Sequence, residues 1–305
     1  MTENESTLKL TNVTKRYDEF TAVNNLSLSV RRGRIFGLIG PNGAGKTTTI
    51  RMIVNITAPD EGTIELFGHE MTAELQDRIG YLPEERGLYK KMKVVDQLRF
   101  FAELKDFKGK EADDAINRWL DRMGLMEWKM KKASELSKGM QQKIQFIAAV
   151  LHNPDLMILD EPSSGLDPVA QELLREVVLE LKAAGKTIIF STHQMEMAER
   201  LCDDICMIHK SEKVLDGSLR EVKRSFGRNS VALRIEGGSD GVLEDRNLVA
   251  KVERNSDEIE ALLAEGADAQ ELLKRLLASG ATVSRFELVE PSLNDIFIAK
   301  VEESQ

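Results

Sequence analysis

The chain of 305 residues carries only two cysteines and two tryptophans. Cys202 and Cys206 cannot build a disulfide framework, and a lone C-x-x-x-C lacks the second half of a zinc site. They read as small buried residues in a reducing compartment. Long hydrophobic runs are missing too. The longest apolar runs, such as Phe146 to Leu151 and Leu156 to Leu159, fall far short of the roughly 20 residues that span a bilayer. The amino-terminal MTENESTLKL has neither the basic start nor the apolar core of a signal peptide. The expectation is a cytosolic protein, unless something else holds it at a membrane. Nor is there a basic excess: 42 Lys and Arg face 51 Asp and Glu, a net charge of −9. That argues against an autonomous DNA or RNA binder. What is present is ordinary for a folded protein, 42% hydrophobic and 30% charged, and excludes wholesale disorder. At about 150 residues per domain the length suits one large domain or two modest ones.

The acidity is unevenly spread. Residues 229–305 hold 16 acidic and 8 basic side chains, so they carry −8 of the −9, and residues 1–228 are close to neutral. Composition changes in the polar stretch Ser225 to Ser230, which sets an expected domain boundary at 228/229. An acidic tail of this kind is also what a plain solvated surface looks like.

Residues 7–13 and 26–30 alternate apolar and polar, as strands of an antiparallel edge do. Arg34 to Ile39 is a short β-branched apolar run, and the chain from Gly45 onward reads as a helix. Further strands are expected at 63–66, 78–82, 156–160, 187–191 and 204–209, with helices at 168–183 and 194–201. Between about 89 and 152 the pattern is helical throughout. Strands alternating with helices imply a parallel sheet. Beyond 228, strands at 231–235 and 282–288 and helices at 270–278 and 292–301 predict a small α+β module.

Between the strand at 34–39 and the next helix lies Gly40-Pro41-Asn42-Gly43-Ala44-Gly45-Lys46-Thr47, followed by Thr48, which fits G-x-x-x-x-G-K-[ST] in the context that motif requires. Glycines let successive N–H groups turn inward around phosphate oxygens, and the helix that follows points its positive end at the same anion. Lys46 supplies a mobile cation to the β- and γ-phosphates, and the Thr47 hydroxyl is placed to ligate Mg²⁺. The run Leu156-Met-Ile-Leu-Asp160-Glu161 is a buried-strand pattern ending in two acids, where ligands bind in such sheets. Asp160 is the candidate Mg²⁺ partner and Glu161 the candidate base for attack on the γ-phosphate.

Glu161-Pro-Ser-Ser-Gly-Leu-Asp167-Pro, with Leu136-Ser137-Lys138-Gly139-Met140-Gln141 upstream, resembles the ATP-binding subunit of an ABC transporter over about residues 5–225. The resemblance implies a P-loop NTPase of the α/β class, with a mixed sheet, an antiparallel edge subdomain and a helical insert, followed here by the small α+β domain. It implies two subunits facing head to tail, each ATP lying between the phosphate loop of one and the signature of the other. On that basis Ser137 and Gly139 meet the γ-phosphate across the dimer, although Ser137 reads equally as a helix N-cap. Asp167 matches the acid that communicates across the dimer, His193 the histidine that reaches the γ-phosphate, and Tyr17 the aromatic that stacks on adenine.

Two departures stand out. Lys138 and Met140 replace a glycine and the glutamine of the usual signature, and Lys138 is a candidate for added charge stabilisation at the γ-phosphate. In Gly80-Tyr-Leu-Pro-Glu84-Glu85 no glutamine appears, and Glu84 is its replacement, able to meet Mg²⁺ or the attacking water. These features and the appended domain resemble the exporter branch that includes sodium-efflux and antibiotic-resistance ATPases. The resemblance implies an integral membrane permease as partner, received by the helical insert (with Leu98-Arg-Phe-Phe-Ala) and the Glu84 loop. It places the protein peripherally on the inner face of the cell membrane, with ATP and Mg²⁺ bound, a homodimer, and no nucleic acid. Dimer contact and regulation are both open for the tail. The competing function is a soluble ATPase of the same type acting on nucleic acid or ribosomes. It is disfavoured by the single phosphate loop and the lack of sustained heptads.

Overall fold

The computed structural model describes residues 6–85, 87–226, 230–255, 258–264 and 266–303, divided into two compact units, Met1–Leu219 and Arg220–Gln305. The expected boundary at 228/229 lies outside the described residues.

In the first unit, β1 (Ser6–Tyr17) and β2 (Phe20–Arg31) pair as an antiparallel hairpin, β3 (Ile35–Ile39) follows, and α1 (Lys46–Ile53) leaves the phosphate loop. β4 (Glu61–Leu66) and β5 (His69–Glu70) join the hairpin in a four-stranded antiparallel sheet, ordered β2-β1-β4-β5. After α2 (Ala73–Asp77) and β6 (Ile79–Leu82) come three helices, α3 (Val94–Glu103), α4 (Gly109–Arg122) and α5 (Lys138–Val150). The expected helical insert at about 89–152 is this group. In α4 the buried residues Ala112, Ala115, Ile116 and Leu120 follow the helical period, which is why the segment folds onto its neighbours with one face only.

The chain then alternates through β7 (Leu156–Asp160), α6 (Pro168–Ala183), β8 (Thr187–Thr192), α7 (Met195–Leu201), β9 (Asp204–His209) and β10 (Glu212–Ser218). The second sheet is ordered β10-β9-β3-β8-β7-β6, with β10 antiparallel to β9 and every other pairing parallel. β3, β7 and β8 are buried along their whole length, as strands covered on both faces must be. The core between the sheets is built from Leu8, Leu10, Leu26, Phe36, Leu38, Ile50 and Ile158 among others. Each such side chain contributes about 1.5–3 kcal/mol by leaving water. No described helix is long and apolar enough to cross a membrane.

From α8 (Leu219–Ser225) the chain enters the second unit: β11 (Ser230–Gly237), β12 (Val249–Asn255), β13 (Glu258–Leu263), α9 (Ala269–Ala278), β14 (Thr282–Val289) and α10 (Leu293–Glu303). Its antiparallel sheet runs β12-β13-β11-β14, and Leu272 and Leu276 of α9 complete a core with Val231, Leu233, Ala261 and Leu263. The pattern of strands and helices expected here is thus extended by two strands, β12 and β13, whose many charges hide their alternation.

Candidate active site

The phosphate loop spans Gly40 to Gly45 between buried β3 and α1. Two of its glycines are there for space. A Cβ on Gly40 (φ +152) would lie 2.1 Å from the Ile208 carbonyl oxygen, and one on Gly45 (φ +111) would lie 2.4 Å from that of Ala22. Pro41 is half-buried, Asn42 and Gly43 are exposed, and Ala44 is buried, its carbonyl accepting from the Ser211 N–H at 3.2 Å. Thr47 and Thr48 sit half-buried in the first turn of α1.

Lys46 is 5% exposed, and its Nζ donates to Gly40 O at 2.8 Å and Pro41 O at 3.2 Å. The same nitrogen lies 3.7 Å from Glu161 Oε1. That carboxylate oxygen is 2.9 Å from Nδ1 of His193, so Lys46 and His193 converge on one oxygen of Glu161. Glu161 itself takes a left-handed backbone (φ +48), a conformation costing a non-glycine residue about 1–3 kcal/mol and concentrated at functional sites. Its N–H is anchored by both oxygens of Ser191, backbone and side chain, at 3.2 Å each.

Asp160 closes β7 fully buried. The Ser191 hydroxyl donates to Oδ1, while Oδ2 is buried without a hydrogen-bond partner. Burial raises the Asp160 carboxyl above the usual carboxylate range, against the opposing pull of the Ser191 and Thr47 hydroxyls. The Thr47 hydroxyl, beside Asp160, gives its one proton to Glu84 Oε2 at 3.5 Å, so Glu84, Thr47 and Asp160 form one oxygen cluster beside the Lys46–Glu161–His193 group.

Ser137, Gly139 and Asp167 stand apart from this cluster, and no described hydrogen bond or ion pair joins them to it. Ser137 caps α5, its hydroxyl accepting from the Met140 N–H at 3.2 Å. Gly139 faces the loop after Glu161; a Cβ there would touch Gly165 O at 3.4 Å. Asp167 caps α6, accepting from the Ala170 N–H at 2.9 Å, with Pro168 opening the helix. Tyr17 is half-exposed at the end of β1, with Lys15 Nζ 5.5 Å from its ring centroid. The hairpin carrying Tyr17 meets the phosphate loop where Ala22 approaches Gly45.

One residue of the site escaped the sequence reading. Ser191 ties β8 to Asp160 at the end of β7 and to Glu161 just after it, and its only outward signal was a small hydroxyl just before Thr192-His193 at a strand end.

Comparison with known proteins agrees with this geometry. Residues 23–164 match the ABC transporter family, and residues 217–301 match the C-terminal domain of DrrA1-3-like ATP-binding proteins. The ABC transporter ATP-binding protein YhaQ of Bacillus subtilis (strain 168) is 45% identical over 96% of this chain and 98% of its own. The Nod factor export ATP-binding protein I of Burkholderia lata is 35% identical over 94% of each. A solved ATP-binding subunit of an ABC transporter superposes with a TM-score of 0.68 at 32% identity, covering 73% of this chain and 94% of that one. The relatives are transporter subunits, so the non-transport alternative is not favoured. The chain belongs to the ABC transporter ATP-binding proteins, P-loop ATPases that bind ATP and hydrolyse it to power transport.

Proposed function

We propose that two copies of this chain close head to tail on two ATP molecules, hydrolyse them, and drive export through a separate membrane permease. The observation that carries this reading is the convergence of Lys46 and His193 on Glu161 beside the half-satisfied Asp160. In this reading the backbone from Gly40 to Thr48 cradles the phosphates. Lys46 exchanges its bonds to Gly40 O and Pro41 O for phosphate oxygens. Glu161 accepts the proton of the attacking water, oriented by Ser191 and His193. Tyr17 stacks on adenine. Ser137 and Gly139, at the free N–H groups of α5, face the γ-phosphate held by the other copy, and Asp167 carries contact between copies.

The orphaned Asp160 oxygen, the Thr47 hydroxyl and Glu84 suit Mg²⁺. This ion takes hard oxygen donors and is held by one or two carboxylates plus substrate phosphates rather than by an all-protein cage. When bound, the ion neutralises charge building on the phosphate oxygens.

The permease is taken to dock where the helical insert meets the Glu84 loop. A largely apolar cavity of about 350 Å³ lies there, lined by Tyr81, Pro83, Leu88, Phe101 and Gln145 among others. Within the stretch expected to dock, Leu98 and Ala102 belong to the core, whereas Phe100 and Phe101 pack with Tyr89. Docking would hold the protein on the inner face of the membrane, with residues 229–305 as an accessory domain that follows the ATPase domain 1–228 in the chain. Export is supported by the name of the Nod factor relative.

Size-exclusion chromatography of Glu161→Gln with Mg-ATP tests the reading. An ATP-dependent shift from monomer to dimer is expected, and a variant that hydrolyses ATP at the wild-type rate would overturn the role given to Glu161.

A further inference from the structure

At the end of the parallel strands opposite the phosphate loop, the first unit holds a cavity of about 420 Å³. It lies among the starts of β1 and β8, the β4–β5 turn, and the residues leading into β6 and β7. Its lining includes Thr7 and Thr187, which are only 2% and 1% exposed. Their hydroxyl oxygens are 3.2 Å apart, and Thr187 Oγ1 also accepts the Gly33 N–H at 3.0 Å.

Counting protons makes this pair informative. Two hydroxyls bring two protons, and one is used between them. Whichever threonine donates, the other keeps an O–H proton with no acceptor among the described residues. A buried donor left without any acceptor would cost about 1–3 kcal/mol, so the pair presents one O–H to whatever occupies the cavity.

The charges around it point the same way. Arg78 and Asp155 satisfy each other at 2.7 Å, with the Arg78 guanidinium 3.8 Å over the Phe67 ring centroid. That leaves Lys9 and Arg32 against Glu65. Lys9 is opposite Glu65 in the β1–β4 register, but no ion pair forms between them, and Arg32 makes no described hydrogen bond or ion pair. Phe67 holds a left-handed backbone (φ +52), an uncommon conformation for a bulky residue, at the cavity's rim.

We propose that this cavity binds a small oxyanion, the carboxylate or phosphate group of a metabolite. Its oxygens would accept the spare threonine proton and sit between Lys9 and Arg32. The site is separate from the phosphate loop, so the two can be occupied together.

Thermal unfolding of the full chain tests this, in saturating ADP so that the phosphate loop is filled. Citrate and inorganic phosphate are the probes, each compared with sodium chloride at equal ionic strength to remove general screening. A saturable rise of about 3 °C is expected. A response to citrate alone assigns a carboxylate ligand, one to phosphate alone a phosphate ester, and one to both a general oxyanion site. The rise should vanish in Lys9→Ala/Arg32→Ala, whose exposed positions leave the ADP-induced shift intact and so report that the variant is folded. No rise beyond the chloride control, or an undiminished rise in the double variant, overturns the proposal.

Discussion

Both units gather carboxylates, but they treat them differently. In the first, Glu161 is met by Lys46 and His193, and Asp160 by the Ser191 hydroxyl. In the second, Glu253, Glu260, Asp295 and Glu302 line a largely apolar groove of about 300 Å³ against one cation, Lys251, which pairs with Glu253 at 2.7 Å. Burial, then Asp295, Glu253 and Glu258, push the Glu260 carboxyl above the usual range. The lesson is that acidity alone does not mark a catalytic site. What marks it is cations and hydroxyls brought to the acids from distant parts of the chain.

The comparison breaks first, and hardest, at the phosphate loop. Gly40→Ala puts a methyl into the Ile208 carbonyl and displaces the loop, so ATP turnover should fall at least about a hundredfold. Gly43→Ala, with nothing within 4 Å, should cost only the strain of its positive φ. Steady-state ATPase assays on the two variants distinguish a loop shaped by close packing from one shaped by backbone angle alone.

In the second unit the corresponding blow is to packing. Leu272→Ala empties a fully buried site and should destabilise that unit by about 2–5 kcal/mol in denaturant unfolding. ATPase activity should stay within about twofold. A parallel collapse of activity would show that the two regions are one energetic unit, and the comparison would fail.

A finer cut is Ser191→Ala. It releases Asp160 Oδ1 and one of two acceptors for the Glu161 N–H while leaving Lys46 in place. Turnover should drop about tenfold with little change in ATP affinity, measured by kcat against KM. An unchanged kcat would reduce Ser191 to a packing residue.

The smallest effect is a slope. Because the folded-state pKa of Glu260 is raised, its charged form is disfavoured in the native protein. It therefore detracts from stability increasingly as pH rises through and above the ordinary carboxylate range. Glu260→Gln should raise the melting temperature slightly near neutral pH and make no difference at pH values where the wild-type carboxyl is protonated. Side-by-side melting curves from pH 4 to 8 give the answer.

Much of the first unit was legible because its signals are local. The phosphate loop is one contiguous octet between a buried strand and a helix, and Asp160-Glu161 end an unbroken apolar run. What could not be read depends on strand register. Ser191 meets Asp160 because β7 and β8 align those two positions, across 31 residues of chain. Thr7 meets Thr187 across 180. The second unit was harder for another reason. β12 and β13 carry Lys251, Glu253, Arg254, Glu258 and Glu260 on residues that otherwise alternate, so their hydrophobic period is faint. The anchoring of Ser137 and Asp167 as helix caps was open to sequence, since both precede good helical segments. The contact with ATP proposed for them rests on the family resemblance, because no described bond within one copy of the chain joins them to the Lys46 group.

The bonding of Lys46 bears on molecular discrimination. Its ammonium group is hydrogen-bonded to Gly40 O and Pro41 O, faces Glu161 and belongs to a side chain only 5% exposed, so the loop shows little free positive charge to solvent. A crowded cell is full of polyanions, from nucleic acid to polyphosphate, that any bare cationic cradle would collect. An anion that engages this lysine has to replace two carbonyl hydrogen bonds, which favours ligands offering several well-placed oxygens over a diffuse negative charge.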